Sequence, residues 1–168
     1  TPRGVHGLDQ EPLAVCDYGN CDDFILPEDM VEEVKFAVGP CINAGKFPIA
    51  IGGEHSGTIP IIQSFEPGSV ALMTIDAHLD SRDEYMGTPL SHACVTRRAV
   101  DVHGIENVCS VGCRAIGREE LERDDVVPFV SSFEVFDKGI EWAVKKMLDG
   151  LKADKVYLSI DIDGIDPA

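Results

Sequence analysis

Three short segments carry side chains suited to holding metal ions, each just past an apolar run of strand type. They are Gly52-Gly53-Glu54-His55-Ser56, Asp76-Ala77-His78-Leu79-Asp80 and Asp161-Ile162-Asp163-Gly164-Ile165-Asp166-Pro167. Together they offer the imidazoles of His55 and His78 and the carboxylates of Asp76, Asp80, Asp161 and Asp163. Carboxylates packed a few Å apart repel by roughly 4 kcal/mol per pair at an effective dielectric near 20. Divalent cations remove that repulsion. A pair of them also lowers the pKa of bound water, so the chemistry on offer is metal-assisted hydrolysis.

The local spacing supports this. In an extended segment Asp76, His78 and Asp80 alternate in step and point to one side, as do Asp161 and Asp163. Hard oxygen with imidazole and no thiolate favours Mn²⁺ over structural zinc. The motifs differ in weight. Gly-Gly-Glu-His alone reads as a helix cap, whereas the three polar residues of Asp-x-His-x-Asp after an apolar strand are hard to justify without a metal. The Asp161 segment differs from a calcium-binding EF-hand loop, because its glycine is fourth and its third acid sixth. Asp166 before Pro167 reads as a turn or cap residue.

The elements that must position these residues follow from hydrophobic periodicity. Strands are expected at 13–17, 47–51, 70–75, 107–111, 126–130 and 156–160. Several of them are apolar on both faces, as in parallel sheets covered by helices. Helices are expected at 28–45, 56–65, 91–102 and 138–151. Gly39-Pro40 should kink or split the first of these, and Pro60 falls near the start of the second, where a missing N–H costs least. Strand and helix alternate throughout, which predicts an α/β domain with a mostly parallel, helix-covered sheet. All three metal-type segments follow the carboxyl ends of expected strands, the edge at which open parallel sheets bind ligands.

With these residues in this order, the chain resembles the arginase/agmatinase (ureohydrolase) superfamily. The likeness runs along essentially the whole chain. It includes Gly45-Lys46-Phe47-Pro48-Ile49, Ser91-His92-Ala93-Cys94-Val95 and Tyr157-Leu158-Ser159-Ile160-Asp161-Ile162-Asp163. The resemblance implies a three-layer α/β/α fold and two Mn²⁺ ions per subunit. One ion would be held by His55, Asp76, Asp80 and Asp161, the other by Asp76, His78, Asp161 and Asp163, with Asp76 and Asp161 bridging. It further implies hydrolysis of a guanidino group to urea and an amine, with His92 shuttling protons. On its residues alone His92 also fits a surface or helix-cap histidine, while His6 and His103 read as structural. The family pattern also implies an N-terminal strand before this region. After it should come a further third of the fold, with an acid that binds the guanidinium; the chain reads as a single domain lacking both portions.

Arg82 stands where arginine-specific members carry an asparagine for the amino-acid end of the substrate. The run from Asp80 to Tyr85 resembles prokaryotic, particularly archaeal, agmatinase-like members. The resemblance therefore implies agmatine cleavage to putrescine and urea. Arginine, guanidinobutyrate, aminopropylagmatine and formiminoglutamate are alternative substrates. A non-catalytic metal- or guanidine-binding homologue is the alternative of another class. Arg82 fits a surface pair with Asp83 or Glu84 as well as it fits a substrate role. A deacetylase of similar broad fold would use a single zinc and fewer carboxylates.

Composition narrows the partners. The 168 residues carry a formal net charge of −16 and are 44% hydrophobic. Such a surface disfavours nucleic acid and anionic membranes and suits a small cationic guanidino substrate. The six cysteines include no C-x-x-C pair, and several lie in apolar runs, so reduced thiols and a cytoplasmic setting are expected. The family likeness adds an expectation of homotrimers or homohexamers.

Overall fold

The apolar runs nearest the acidic motifs become one parallel sheet in the computed structural model, which describes residues 14–21 and 26–165. Among the described residues its strands are β1 (Ala71–Ile75), β2 (Val108–Cys113), β3 (Phe129–Ser131) and β4 (Val156–Ile160), in the order β3-β2-β1-β4. β1 is central and pairs in parallel with both β2 and β4, placing Ile75 beside Val111 and Ile160. The carboxyl ends of β1 and β4 are therefore level, and the acids that follow them emerge side by side.

Helices cover both faces. On one face Leu72 and Val108 pack with Ile59 and Ile62 of α2 (Thr58–Gln63) and with Val95 and Ala99 of α3 (Val95–His103). On the other, Met73, Cys109, Val111 and Val130 pack with Ala143 and Met147 of α6 (Ile140–Leu148). Neighbouring residues such as Leu72 and Met73 go to opposite faces because side chains alternate along a strand. Two cores on one sheet give the expected three-layer α/β/α arrangement.

Three details differ from the periodicity. Helix α1 (Pro27–Asn43) runs unbroken through Gly39-Pro40. Pro40 lies in its last turn, where its own carbonyl still accepts the N–H of Ala44. The helix expected at 138–151 is divided at Gly139, whose φ of 88° ends α5 (Ser132–Lys138) and lets α6 set off in a new direction. Residues 14–17 and 47–51 form no strand; residue 13 lies outside the described residues. A strand needs a neighbour for its peptide groups. Residues 47–51 pair with no strand among the described residues, and Phe47, Ile49 and Ile51 stay exposed. β4 is itself an edge, with Val156, Leu158 and Ile160 between 40% and 57% exposed.

Two glycines permit close approach to the end of β1. Gly112, at φ 101° and beside an irregularity in the β2–β3 register, would bring an added Cβ to 3.2 Å from the Asp76 carbonyl. A Cβ at Gly164 would lie 2.7 Å from the Asp76 nitrogen. Gly112→Ala and Gly164→Ala should each cost about 1–3 kcal/mol. Thermal unfolding would show this as a fall of roughly 2–4 °C per kcal/mol. Gly39→Ala, in open space within α1, should instead hold or raise the midpoint.

Candidate metal centre

Asp76 is the first residue beyond β1, and its carboxylate is the hub of the site. Its N–H donates to the Val111 carbonyl at 3.0 Å, which continues the β1–β2 ladder one residue past the strand. The residue is 1% exposed. Oδ1 accepts the His78 N–H at 2.7 Å, while Oδ2 is buried with no hydrogen-bond partner. A buried carboxylate oxygen left unpaired is expensive, and a cation is the usual remedy.

Ligand-type atoms gather on both sides of it. His55, Asp76 and Asp80 form one group, and Asp76, His78 and Asp163 another; within each, the atoms lie within 4.8 Å of one another. His55 comes from a short 3-10 turn (His55–Gly57) leading into α2. Its Nδ1 is 2.8 Å from Asp80 Oδ2 and 3.2 Å from Asp76 Oδ2. One N–H cannot serve both oxygens well, so it bonds Asp80 and leaves Asp76 Oδ2 open. His55 Nε2 lies 3.1 Å from the hydroxyl of Ser159 on β4, which orients the ring. On the other side His78 Nδ1 is 3.0 Å from Asp163 Oδ2. Asp163 Oδ1 accepts the Ala77 N–H at 3.1 Å, and the Asp163 carbonyl accepts from the Arg114 guanidinium.

Asp161 follows β4 as expected, and its backbone N–H donates to the Ile75 carbonyl at 2.9 Å. Its Oδ1 accepts the Asp163 N–H at 3.0 Å, capping the 3-10 turn Ile162–Gly164. It belongs to neither of the two groups. His92 sits at the start of another 3-10 turn (His92–Cys94), packed beside the turn that carries His55. Its Nδ1 is 3.1 Å from Glu54 Oε1, and its ring meets Tyr85 edge-on at 5.5 Å between centroids. Arg82 pairs with Glu119 at 3.0 Å and lies over the Tyr85 ring, whereas Asp83 is taken by Arg123. His103 is buried, accepting the Gly68 N–H and lying 2.9 Å from the Ile62 carbonyl, a structural role as expected. His6 and Asp166 lie outside the described residues.

The donor set is imidazole and carboxylate. The six cysteines are free, and burial pushes the Cys109 thiol up to about 12 and Cys113 to about 11, so these two stay protonated and are poor ligands. This mixture suits a hard divalent ion such as manganese. Ser159 could have been found in the sequence, since it lies two residues before Asp161 and so on the same strand face. The contacts of Glu54 and Tyr85 to His92 carried no sequence signal.

The electrostatics of these groups set a pH dependence. Burial alone would lower the His55 pKa, but the adjacent carboxylates of Asp76 and Asp80 outweigh it and raise it to about 10. Burial raises Asp80 above the ordinary carboxylate range, with His55 only partly offsetting it. His55 therefore keeps its proton at neutral pH, and a cation taking Nδ1 must displace it. Calorimetry with Mn²⁺ in buffers of different ionisation enthalpy should register proton release. Apparent affinity should rise about tenfold per pH unit for each proton displaced, below the His55 pKa. An affinity unchanged from pH 6 to 9 would contradict this.

Helix α1 and the other helices among the described residues are too short or too polar to cross a membrane. The model of the arginase family matches residues 2–168. An agmatinase of Bacillus anthracis is 38% identical over 171 residues, covering 96% of this chain and 56% of that protein. An N(1)-aminopropylagmatine ureohydrolase of Synechocystis is 35% identical over 143 residues, covering 82% and 45%. The crystal structure of an agmatine ureohydrolase of Thermoplasma volcanium superposes with a TM-score of 0.81 at 40% identity, over 88% of this chain and 50% of that one. The chain thus spans about half the length of the curated relatives it matches. With strand-end acids on an α/β/α scaffold and a family match along nearly its whole length, the chain belongs to the arginase family.

Proposed function

We propose that the protein hydrolyses the guanidino group of agmatine, giving putrescine and urea, with two Mn²⁺ ions at the groups that share Asp76. The observation that carries this reading is the buried Asp76 carboxylate, one of its oxygens without a hydrogen bond, shared by two sets of imidazole and carboxylate donors. His55, Asp76 and Asp80 would hold one ion and Asp76, His78 and Asp163 the other. Asp161, which caps the turn carrying Asp163, would join them as a further ligand, as the family resemblance implies. Bound there, the ions would supply water of lowered pKa and stabilise charge developing at the guanidinium carbon.

The chain's own residues have the remaining tasks. The leaving amine must gain a proton, and His92 stands beside the His55 turn to deliver it. With Nδ1 facing Glu54, Nε2 is the atom from which His92 would pass that proton. Ser159 keeps the His55 ring in place, and Arg114 and Ala77 fix Asp163 from two directions. Agmatine is a dication without a carboxylate, and the net charge of −16 favours its approach. Arg82 is engaged by Glu119 and Tyr85, so it is occupied within the protein and is not a free receptor for a carboxylate. A cytoplasmic location agrees with the free cysteines, and an assembly of several copies is the family expectation.

The named Synechocystis relative favours a second substrate, aminopropylagmatine, which differs only in the chain beyond the guanidine. Urea release from the intact protein, with agmatine, aminopropylagmatine, guanidinobutyrate and arginine in parallel, separates these. The expected result is the highest kcat/KM with agmatine; preference for arginine would overturn the reading. Asp163→Asn should lower manganese content and turnover together. His92→Phe should cut kcat by roughly 10²–10⁴ with metal retained. Unaltered turnover in the His92 variant would remove its proton-transfer role.

A further inference from the structure

Asp80 is bonded to His55 from an unusual backbone. Its φ is 52°, left-handed and disfavoured for residues with a Cβ, although aspartate tolerates it better than most. Glycine would fit that backbone more easily but would leave no carboxylate opposite His55. A residue persists in such a conformation only where its surroundings over-determine it. Two buried side chains from different elements do so here.

Thr96, in the first turn of α3, is 1% exposed. Its hydroxyl donates to the carbonyls of Leu79 at 2.7 Å and Asp80 at 2.9 Å, one proton shared between two oxygens. Its backbone N–H donates to the same Asp80 carbonyl at 3.0 Å. A threonine near a helix start ordinarily bonds within its own turn. This one reaches across to a segment sixteen residues earlier. From the other side comes Glu120, on the single turn α4 (Arg118–Leu121) and 4% exposed. Its Oε1 accepts the Ser81 N–H at 2.7 Å and faces the Ser81 hydroxyl at 3.1 Å, and Oε2 accepts the Gly117 N–H at 2.7 Å. The two peptide groups on either side of the Asp80 Cα are thus both fixed by buried side chains, Thr96 bonding the carbonyl of each and Glu120 the N–H of the second.

We propose that Thr96 and Glu120 are positioning residues, a buried clamp that holds residues 79–81 in the left-handed turn directing the Asp80 carboxylate to His55. Neither touches the ligand atoms; both act through Asp80. The inference rests on Asp80 being a metal ligand, and its test separates the two claims. Without the clamp, residue 80 relaxes toward negative φ and the carboxylate swings away from the imidazole, so the cost appears as weaker metal binding.

The test measures Mn²⁺ affinity of the intact protein by calorimetry, with circular dichroism and the metal-free thermal midpoint recorded for each variant. Thr96→Val, which removes the hydroxyl and keeps the shape, should weaken Mn²⁺ binding about tenfold or more, and Thr96→Ser should restore it to within about threefold. Asp80→Asn should weaken it at least as much as Thr96→Val. Adding Thr96→Val to Asp80→Asn should bring no further loss, because the clamp acts through that carboxylate. A folded Thr96→Val protein of unchanged affinity, beside a weakened Asp80→Asn, overturns the clamp and leaves Asp80 a ligand. Further loss in the double variant also overturns it, since the threonine would then matter to the fold at large. Unchanged affinity in Asp80→Asn overturns the ligand assignment and the clamp together. Should Thr96→Val fail to fold, Glu120→Leu decides, because it leaves Ser81 without its acceptor. Weaker Mn²⁺ binding in that variant supports the clamp and wild-type affinity overturns it.

Discussion

The structure is organised around one unfavourable act, the burial of the Asp76 carboxylate with an oxygen left open. A charge in that position is tolerable only with an opposite charge close by. His55 supplies one such charge, its imidazole held protonated by Asp76 and Asp80. One proton on Nδ1 bonds one carboxylate and neglects the other. Divalent ions on either side of Asp76 would balance what the single imidazolium balances only in part.

Everything that brings ligands to Asp76 is a consequence of the parallel sheet. β1 lies between β2 and β4 in a register that sets Ile75 level with both Val111 and Ile160, so β1 and β4 leave the sheet at one height while β2 runs on to Cys113. From that edge β1 delivers Asp76, His78 and Asp80, and β4 delivers Asp161 and Asp163. His55 arrives on the turn ahead of α2, whose Ile59 and Ile62 are fully buried against the sheet. Packing energy on the apolar face therefore holds polar groups together at the edge. Gly112 and Gly164 let the flanking backbones close on Asp76, where any side chain would force them apart.

Much of this was legible beforehand, and the reasons differ by element. β4 and its acids were clear because an apolar run ended abruptly in Asp161 and Asp163. The pairing of His55 with Asp80 was accessible only through the family resemblance, since nothing in the local sequence encodes a contact between residues 25 positions apart. The run at 47–51 shows the limit of periodicity. Its composition suits a strand, yet strand formation depends on pairing, and residues 47–51 pair with no strand among the described residues. Pro40 shows a related limit, because its cost to a helix depends on whether another turn must follow. The clamp on Asp80 left no trace in the sequence; a left-handed aspartate and a threonine bonding sixteen residues back are properties of folded geometry alone.

The central claim is that two cations flank Asp76. Anomalous diffraction at the manganese edge, from crystals of the intact protein grown with Mn²⁺, tests it most directly. Two peaks are expected on opposite sides of the Asp76 carboxylate, one against His55 and Asp80 and the other against His78 and Asp163. A single peak, or peaks remote from Asp76, would contradict it.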